Sequence, residues 1–97
     1  MFARVLRMQI QENQTDRAAK IFKESIIPLC KKQDGYSGAL FLRDEKTSKC
    51  LPITLWETEE DMIKTEENRF FQEQLVKFMG LLAESPIREA YEVIFKD

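Results

Sequence analysis

Tyr36-Ser37-Gly38-Ala39-Leu40-Phe41-Leu42-Arg43 and Cys50-Leu51-Pro52-Ile53-Thr54-Leu55-Trp56-Glu57 are two extended runs separated by the polar stretch Asp44-Glu45-Lys46-Thr47-Ser48-Lys49. Both are rich in β-formers and bounded by turn residues, so they predict an antiparallel hairpin. Leu51, Ile53 and Leu55 alternate with Pro52, Thr54 and Trp56, while Ala39 and Phe41 alternate with Leu40 and Leu42. Both faces of this hairpin therefore carry large apolar groups.

The flanking segments complete the pattern. Phe2 to Gln11 has strand length, with Phe2, Leu6, Met8 and Ile10 on one side and Ala3, Val5, Arg7 and Gln9 on the other. Thr15 or Asp16 then reads as an N-cap, followed by Ala19, Phe22, Ile26 and Leu29/Cys30 at helical steps. Pro28 predicts a kink in that helix, and Gln33-Asp34-Gly35 its stop. Thr58 caps a second helix whose first turn gathers Glu59, Glu60 and Asp61, where the backbone dipole favours negative charge. This helix is expected to bend or restart near Asn68 and to carry Phe71, Leu75, Phe78/Met79 and Leu82 inward until Ser85-Pro86. Ile87 to Lys96 alternates as a fourth strand. The order β-α-β-β-α-β is the ferredoxin-like arrangement, an α+β fold with a four-stranded antiparallel sheet and both helices on one face.

Two helices cover one face only, and the other would expose an apolar patch larger than soluble monomers usually tolerate. The sequence therefore predicts a homodimer packed sheet to sheet. Residues 1–97 are expected to form a single domain, since no repeat, linker or low-complexity tract divides them.

Composition narrows the chemistry. There is no histidine, and there are only three glycines and two cysteines, which excludes His-based metal sites, His-centred triads and multi-glycine phosphate cradles. Cys30 and Cys50 each lack a CxxC partner and read as reduced, partly buried small hydrophobes. The net charge of −2 offers no broad positive field for nucleic acid. No apolar run approaches the length of a membrane span, and no signal peptide is evident, so the expectation is a cytoplasmic protein.

Ile27-Pro28-Leu29 with Gly35-Tyr36-Ser37-Gly38, Leu55-Trp56-Glu57-Thr58-Glu59-Glu60, and Ser85-Pro86-Ile87-Arg88-Glu89-Ala90-Tyr91-Glu92-Val93 together resemble the antibiotic biosynthesis monooxygenase-like family. The resemblance spans nearly the whole chain. It implies a dimeric α+β barrel with a pocket between helices and sheet in each protomer. It also implies a relation to cofactor-free oxygenases acting on polycyclic aromatic or quinol substrates, or to haem-degrading enzymes. Trp56 matches the family's strand-ending tryptophan. Thr65 and Leu75 stand where the haem-degrading branch has a second tryptophan and a histidine, and many other members place a histidine where Thr65 stands, so no axial haem ligand is expected. Arg7 and Gln9 occupy the region where several oxygenases carry an asparagine.

A cofactor-free oxygenase needs a base for its electron-rich substrate. Glu92, Tyr91 and Arg7 are the candidates for catalytic roles, with strand-edge pairing as the structural alternative for Arg7 and Arg88. Trp56, Phe71, Met79 and Tyr36 are candidate substrate-pocket residues, because aromatic walls stack planar ligands and a tyrosine can hydrogen-bond a quinone or phenolic oxygen. The same residues would serve equally as core or dimer seam. No cofactor and no metal is expected. The leading expectation is a cofactor-independent monooxygenase-like protein for a small aromatic or quinol-type substrate. The alternatives are a non-catalytic small-molecule-binding or stress-associated dimer, or a structural interaction module.

Overall fold

A computed structural model describes residues 1–97. Four strands, β1 (Phe2–Gln9), β2 (Tyr36–Asp44), β3 (Lys49–Trp56) and β4 (Ile87–Glu92), form one antiparallel sheet in the order β2-β3-β1-β4. The helical segments are α1 (Thr15–Ile21), α2 (Ile27–Cys30), α3 (Glu59–Glu67) and α4 (Phe70–Leu75). This is the ferredoxin-like β-α-β-β-α-β arrangement. No helix is long and apolar enough to cross a membrane.

Pro28 acts earlier than a simple kink would suggest. Between α1 and α2 the backbone takes a π-helical course, Phe22–Ile26, in which the Ile27 N–H donates to the Phe22 carbonyl five residues back. Proline lacks an N–H and its ring crowds the carbonyl four residues earlier, so widening the preceding turn removes the clash without ending the helix. Ala18, Phe22, Ile26 and Cys30 form the buried stripe, in one core cluster with Leu6, Met8, Ile10, Cys50 and Phe78. Thr15 does not cap α1. It is the buried first helical residue, and its hydroxyl instead accepts from Arg43 Nη1, which also pairs with Asp16.

Thr58 does cap α3, its hydroxyl accepting the Asp61 N–H at 3.1 Å. The chain breaks at Arg69, whose φ of 68° is left-handed, and restarts as α4. A 3₁₀ segment, Val76–Leu81, follows. Its three-residue turn carries Phe78 and Leu81 inward together, and leaves Met79 outside.

Period-two alternation turns Arg4, Leu6 and Met8 of β1, and Cys50, Pro52 and Trp56 of β3, toward the helices. The β1–β3 pairing runs from Phe2↔Trp56 to Val5↔Ile53 and resumes at Met8↔Cys50. The gap falls opposite Pro52, which has no N–H to give to a ladder. β4 ends at Glu92, short of the Lys96 expected from alternation alone, because its partner strand runs out: the last pair is Phe2↔Glu92, and Val93 N–H then bonds the Met1 carbonyl. The sheet face away from the helices is uncovered. Leu40 and Leu42 are about half exposed there, flanked by the half-buried Leu51, Ile53 and Leu55 of β3.

Candidate functional site

A cavity of about 50 Å³ lies between helices and sheet. Arg4 and Leu6 of β1, with Pro52, Thr54 and Trp56 of β3, form the sheet wall. Phe22, Ile26 and Cys30 close one side. Phe70, Phe71, Gln74 and Phe78 close the other, with Phe70 and Gln74 one α-helical turn apart on α4. The lining is mostly apolar and aromatic, with a few polar groups, as in small-molecule sites generally.

Its charged pole is Arg4, which is nine-tenths buried. One guanidinium nitrogen, Nη2, pairs with Glu66 Oε1 of α3, and Nη1 donates to the Glu89 carbonyl of β4 at 3.1 Å. Arg88 reaches the other Glu66 oxygen at 3.3 Å. Both guanidiniums lie 5.8 Å from the centre of the Phe71 ring, within cation–π range. Burial, and secondarily the positive charge of Arg88, lower the Arg4 pKa, but an arginine side chain stays charged in proteins. Arg4 Nε and Gln74 Oε1 are both buried without a hydrogen-bond partner. Each such group costs about 1–3 kcal/mol when left unpaired.

The remaining polar groups are satisfied or neutral. Trp56 Nε1 donates to Thr54 Oγ1 at 3.0 Å, and Thr65 donates its hydroxyl proton to the Met62 carbonyl at 2.7 Å. Burial pushes the Cys30 thiol up to about 11, against a smaller opposing effect of the Lys77 charge, so it is protonated at neutral pH. Cys30 and Cys50 are free and buried. Nowhere do three or more Cys, Asp or Glu side chains converge as metal ligands would.

Of the residues singled out from sequence, Trp56 and Phe71 line the cavity. Tyr36 does not, but stands edge-on to Trp56 with ring centres 5.9 Å apart, and burial raises its pKa. Met79 is 55% exposed outside the cavity. Arg7 and Tyr91 lie on the uncovered sheet face, because register sets Tyr91 opposite Ala3 and Ile87 opposite Arg7. There Arg7 pairs with Glu89 at 3.3 Å, and a hydrogen bond to the Glu89 carboxylate raises the Tyr91 pKa. Glu92 is exposed at the end of β4. The cavity's own polar groups, Arg4 and Gln74, are not among those candidates, although each sits in phase with an apolar neighbour: Arg4 with Leu6 and Met8 on β1, Gln74 with Phe70 on α4.

No family model and no curated protein matches the sequence. Solved structures do match in fold. A variant of SnoaB, a cofactor-independent oxygenase from Streptomyces nogalater, is 12% identical, with a TM-score of 0.77 over 98% of this chain and 94% of that one. A monooxygenase of Streptomyces coelicolor, solved with nanaomycin D, is 10% identical with a TM-score of 0.72, covering 99% of this chain and 92% of that one. A Bordetella bronchiseptica protein provisionally described as an antibiotic biosynthesis monooxygenase is 18% identical, with a TM-score of 0.75 over 97% of each chain. The chain has the fold of the antibiotic biosynthesis monooxygenases.

Proposed function

We propose that residues 1–97 form a single antibiotic biosynthesis monooxygenase-like domain, working without a cofactor on a small aromatic or quinol-type substrate. The observation that carries this reading is the aromatic-lined cavity with one charged pole, between helices and sheet. Its fold, shared with a cofactor-independent oxygenase, supports the same reading. Trp56 and Phe71 would hold the planar ring, and the apolar walls would keep water from the reacting carbon. The substrate anion gives an electron to dioxygen, the resulting radical pair recombines at a ring CH carbon conjugated with the ionised oxygen, and the peroxide takes up a proton from water. Loss of one water then leaves a carbonyl, with one oxygen atom in product and the other in water.

The uncovered apolar sheet face supports a homodimer built sheet to sheet. Oxygen uptake with a panel of quinols and dihydroxynaphthalenes tests the activity. Turnover above buffer is expected, falling at least about tenfold in Trp56→Ala with the fold retained; that loss equals about 1.4 kcal/mol of transition-state stabilisation. Absence of uptake with every quinol would overturn the oxygenase reading.

A non-catalytic binding protein is the second reading, favoured by the lack of a free base in the cavity. The Cys30 thiol is neutral, and both oxygens of Glu66 are held by arginines. Ligand-induced thermal stabilisation without oxygen uptake would mark this case.

A further inference from the structure

Arg4 and Arg88 bring two guanidiniums to one carboxylate, Glu66, and each Glu66 oxygen is already engaged. The cluster therefore keeps one positive charge at the cavity wall. No other charged side chain offsets it. Glu89 contributes only its backbone carbonyl to Arg4 and turns its carboxylate to Arg7 on the opposite sheet face, while Glu92 is exposed at the end of β4. α4 and β3 bring Phe71, Gln74 and Thr54, all uncharged. Of the three buried side-chain atoms without a partner, Gln72 Oε1 belongs to a residue outside the cavity lining, and the two from lining residues complement one another: Arg4 Nε is a donor without an acceptor, and Gln74 Oε1 an acceptor without a donor.

We infer that the cavity takes its ligand as the monoanion of a dihydroxyaromatic, the ionised oxygen accepting from Arg4 and the remaining hydroxyl donating to Gln74. This rests on the reading of the cavity as a ligand site. A neutral quinol can accept from Arg4 only by turning that hydroxyl's proton toward another acceptor, which the apolar walls do not supply, and a dianion has no donor for Gln74; the monoanion alone satisfies both groups. Arg4 then takes the place of a general base. The O–H bond breaks heterolytically, its electron pair stays on oxygen beside the guanidinium, and the proton passes to bulk water. A fixed positive charge in a water-poor site favours the charged form of a bound acid.

The probe is 4-nitrocatechol, a dihydroxyaromatic whose monoanion keeps one hydroxyl and absorbs visible light, titrated spectrophotometrically in the presence of saturating protein. Its bound ionisation constant is expected to be at least about tenfold above that of the free probe, one pKa unit. Arg4→Met should abolish the shift, with near-ultraviolet circular dichroism verifying the fold. Glu66→Gln should enlarge it, since two guanidiniums then face the ligand uncompensated; a merely structural role predicts loss in both variants. Binding without a shift, or the same shift in Arg4→Met, overturns the inference and leaves the cavity a ligand site. A probe that neither binds nor perturbs Trp56 fluorescence overturns both.

Discussion

The Trp56 indole donates its N–H to the Thr54 hydroxyl two residues back on the same face of β3. Trp56 is almost fully buried, so this bond satisfies a donor that water does not reach. It also fixes which part of the ring the cavity sees.

Thr54→Val keeps the shape of the side chain and removes the acceptor. It should cost about 1–2 kcal/mol, a fall in Tm of roughly 4–8 °C per kcal/mol for a domain of this size. Thr54→Ser should restore most of the loss. Thermal unfolding followed by circular dichroism measures both, and an unchanged Tm in Thr54→Val would remove the bond from the account.

Leu40 and Leu42 stand on the uncovered sheet face. Burying one leucine is worth roughly 1.5–3 kcal/mol, so a dimer formed through this face should not survive two charges there. Light scattering is expected to give twice the chain mass for the natural protein and the single-chain mass for Leu40→Glu with Leu42→Lys. A natural protein that is monomeric across micromolar concentrations would dispose of the sheet-to-sheet dimer.

Gly35 has a φ of +78°, and a Cβ there would run into the Asp61 carboxylate. Its carbonyl accepts the Glu57 N–H at 2.8 Å, tying the end of β3 to the start of β2. Gly35→Ala should cost about 1–2 kcal/mol from the left-handed backbone alone, and more from the clash. Combining it with Asp61→Ala should recover the steric part and leave the backbone part, which a double-mutant cycle separates.

The Cys30 thiol, raised from 9.0 to about 11, couples stability to alkaline pH. Below pH 9 folded and unfolded chains both hold the proton, and the contribution is fully present. Between about pH 9 and 11 only the unfolded chain releases it, so stability falls as pH rises; two units correspond to about 2–3 kcal/mol. Tyr36 and Cys50 are raised as well, so the informative quantity is the difference in slope between the natural protein and Cys30→Ala. The variant should lose less stability across that window in denaturant titrations.

Local signals carried most of the fold. The polar loop Asp44–Lys49, the Thr58 cap, the restart near Asn68 and the proline-driven irregularity in the first helical region are all written in short stretches of chain. Long-range partners are not. Glu66 lies sixty-two positions from Arg4, and nothing around either residue announces the pair. Arg4 was hidden by its charge, since a lone arginine within an apolar face reads as an interruption until its partner is known. A 3.6-residue period puts Met79 inward, but the chain abandons that period at Val76 for a three-residue turn. Tyr91 and Arg7 needed the β1–β4 register, which only folding supplies.

The break at Arg69 gives the cavity two walls of different stiffness. The sheet wall is held by strand ladders on both sides of β1, whereas the wall from Phe70 to Leu81 is two short pieces pinned mainly at the far end, where Gln11 N–H bonds the Leu81 carbonyl and Ala83 N–H the Gln9 carbonyl. Lys77 adds a single exposed bond to the Ser25 carbonyl. Opening costs least where few backbone bonds cross between elements. The expected way for the cavity to widen is therefore a swing of this jointed side, while the β-strand groups Arg4 and Trp56 keep a fixed position relative to each other.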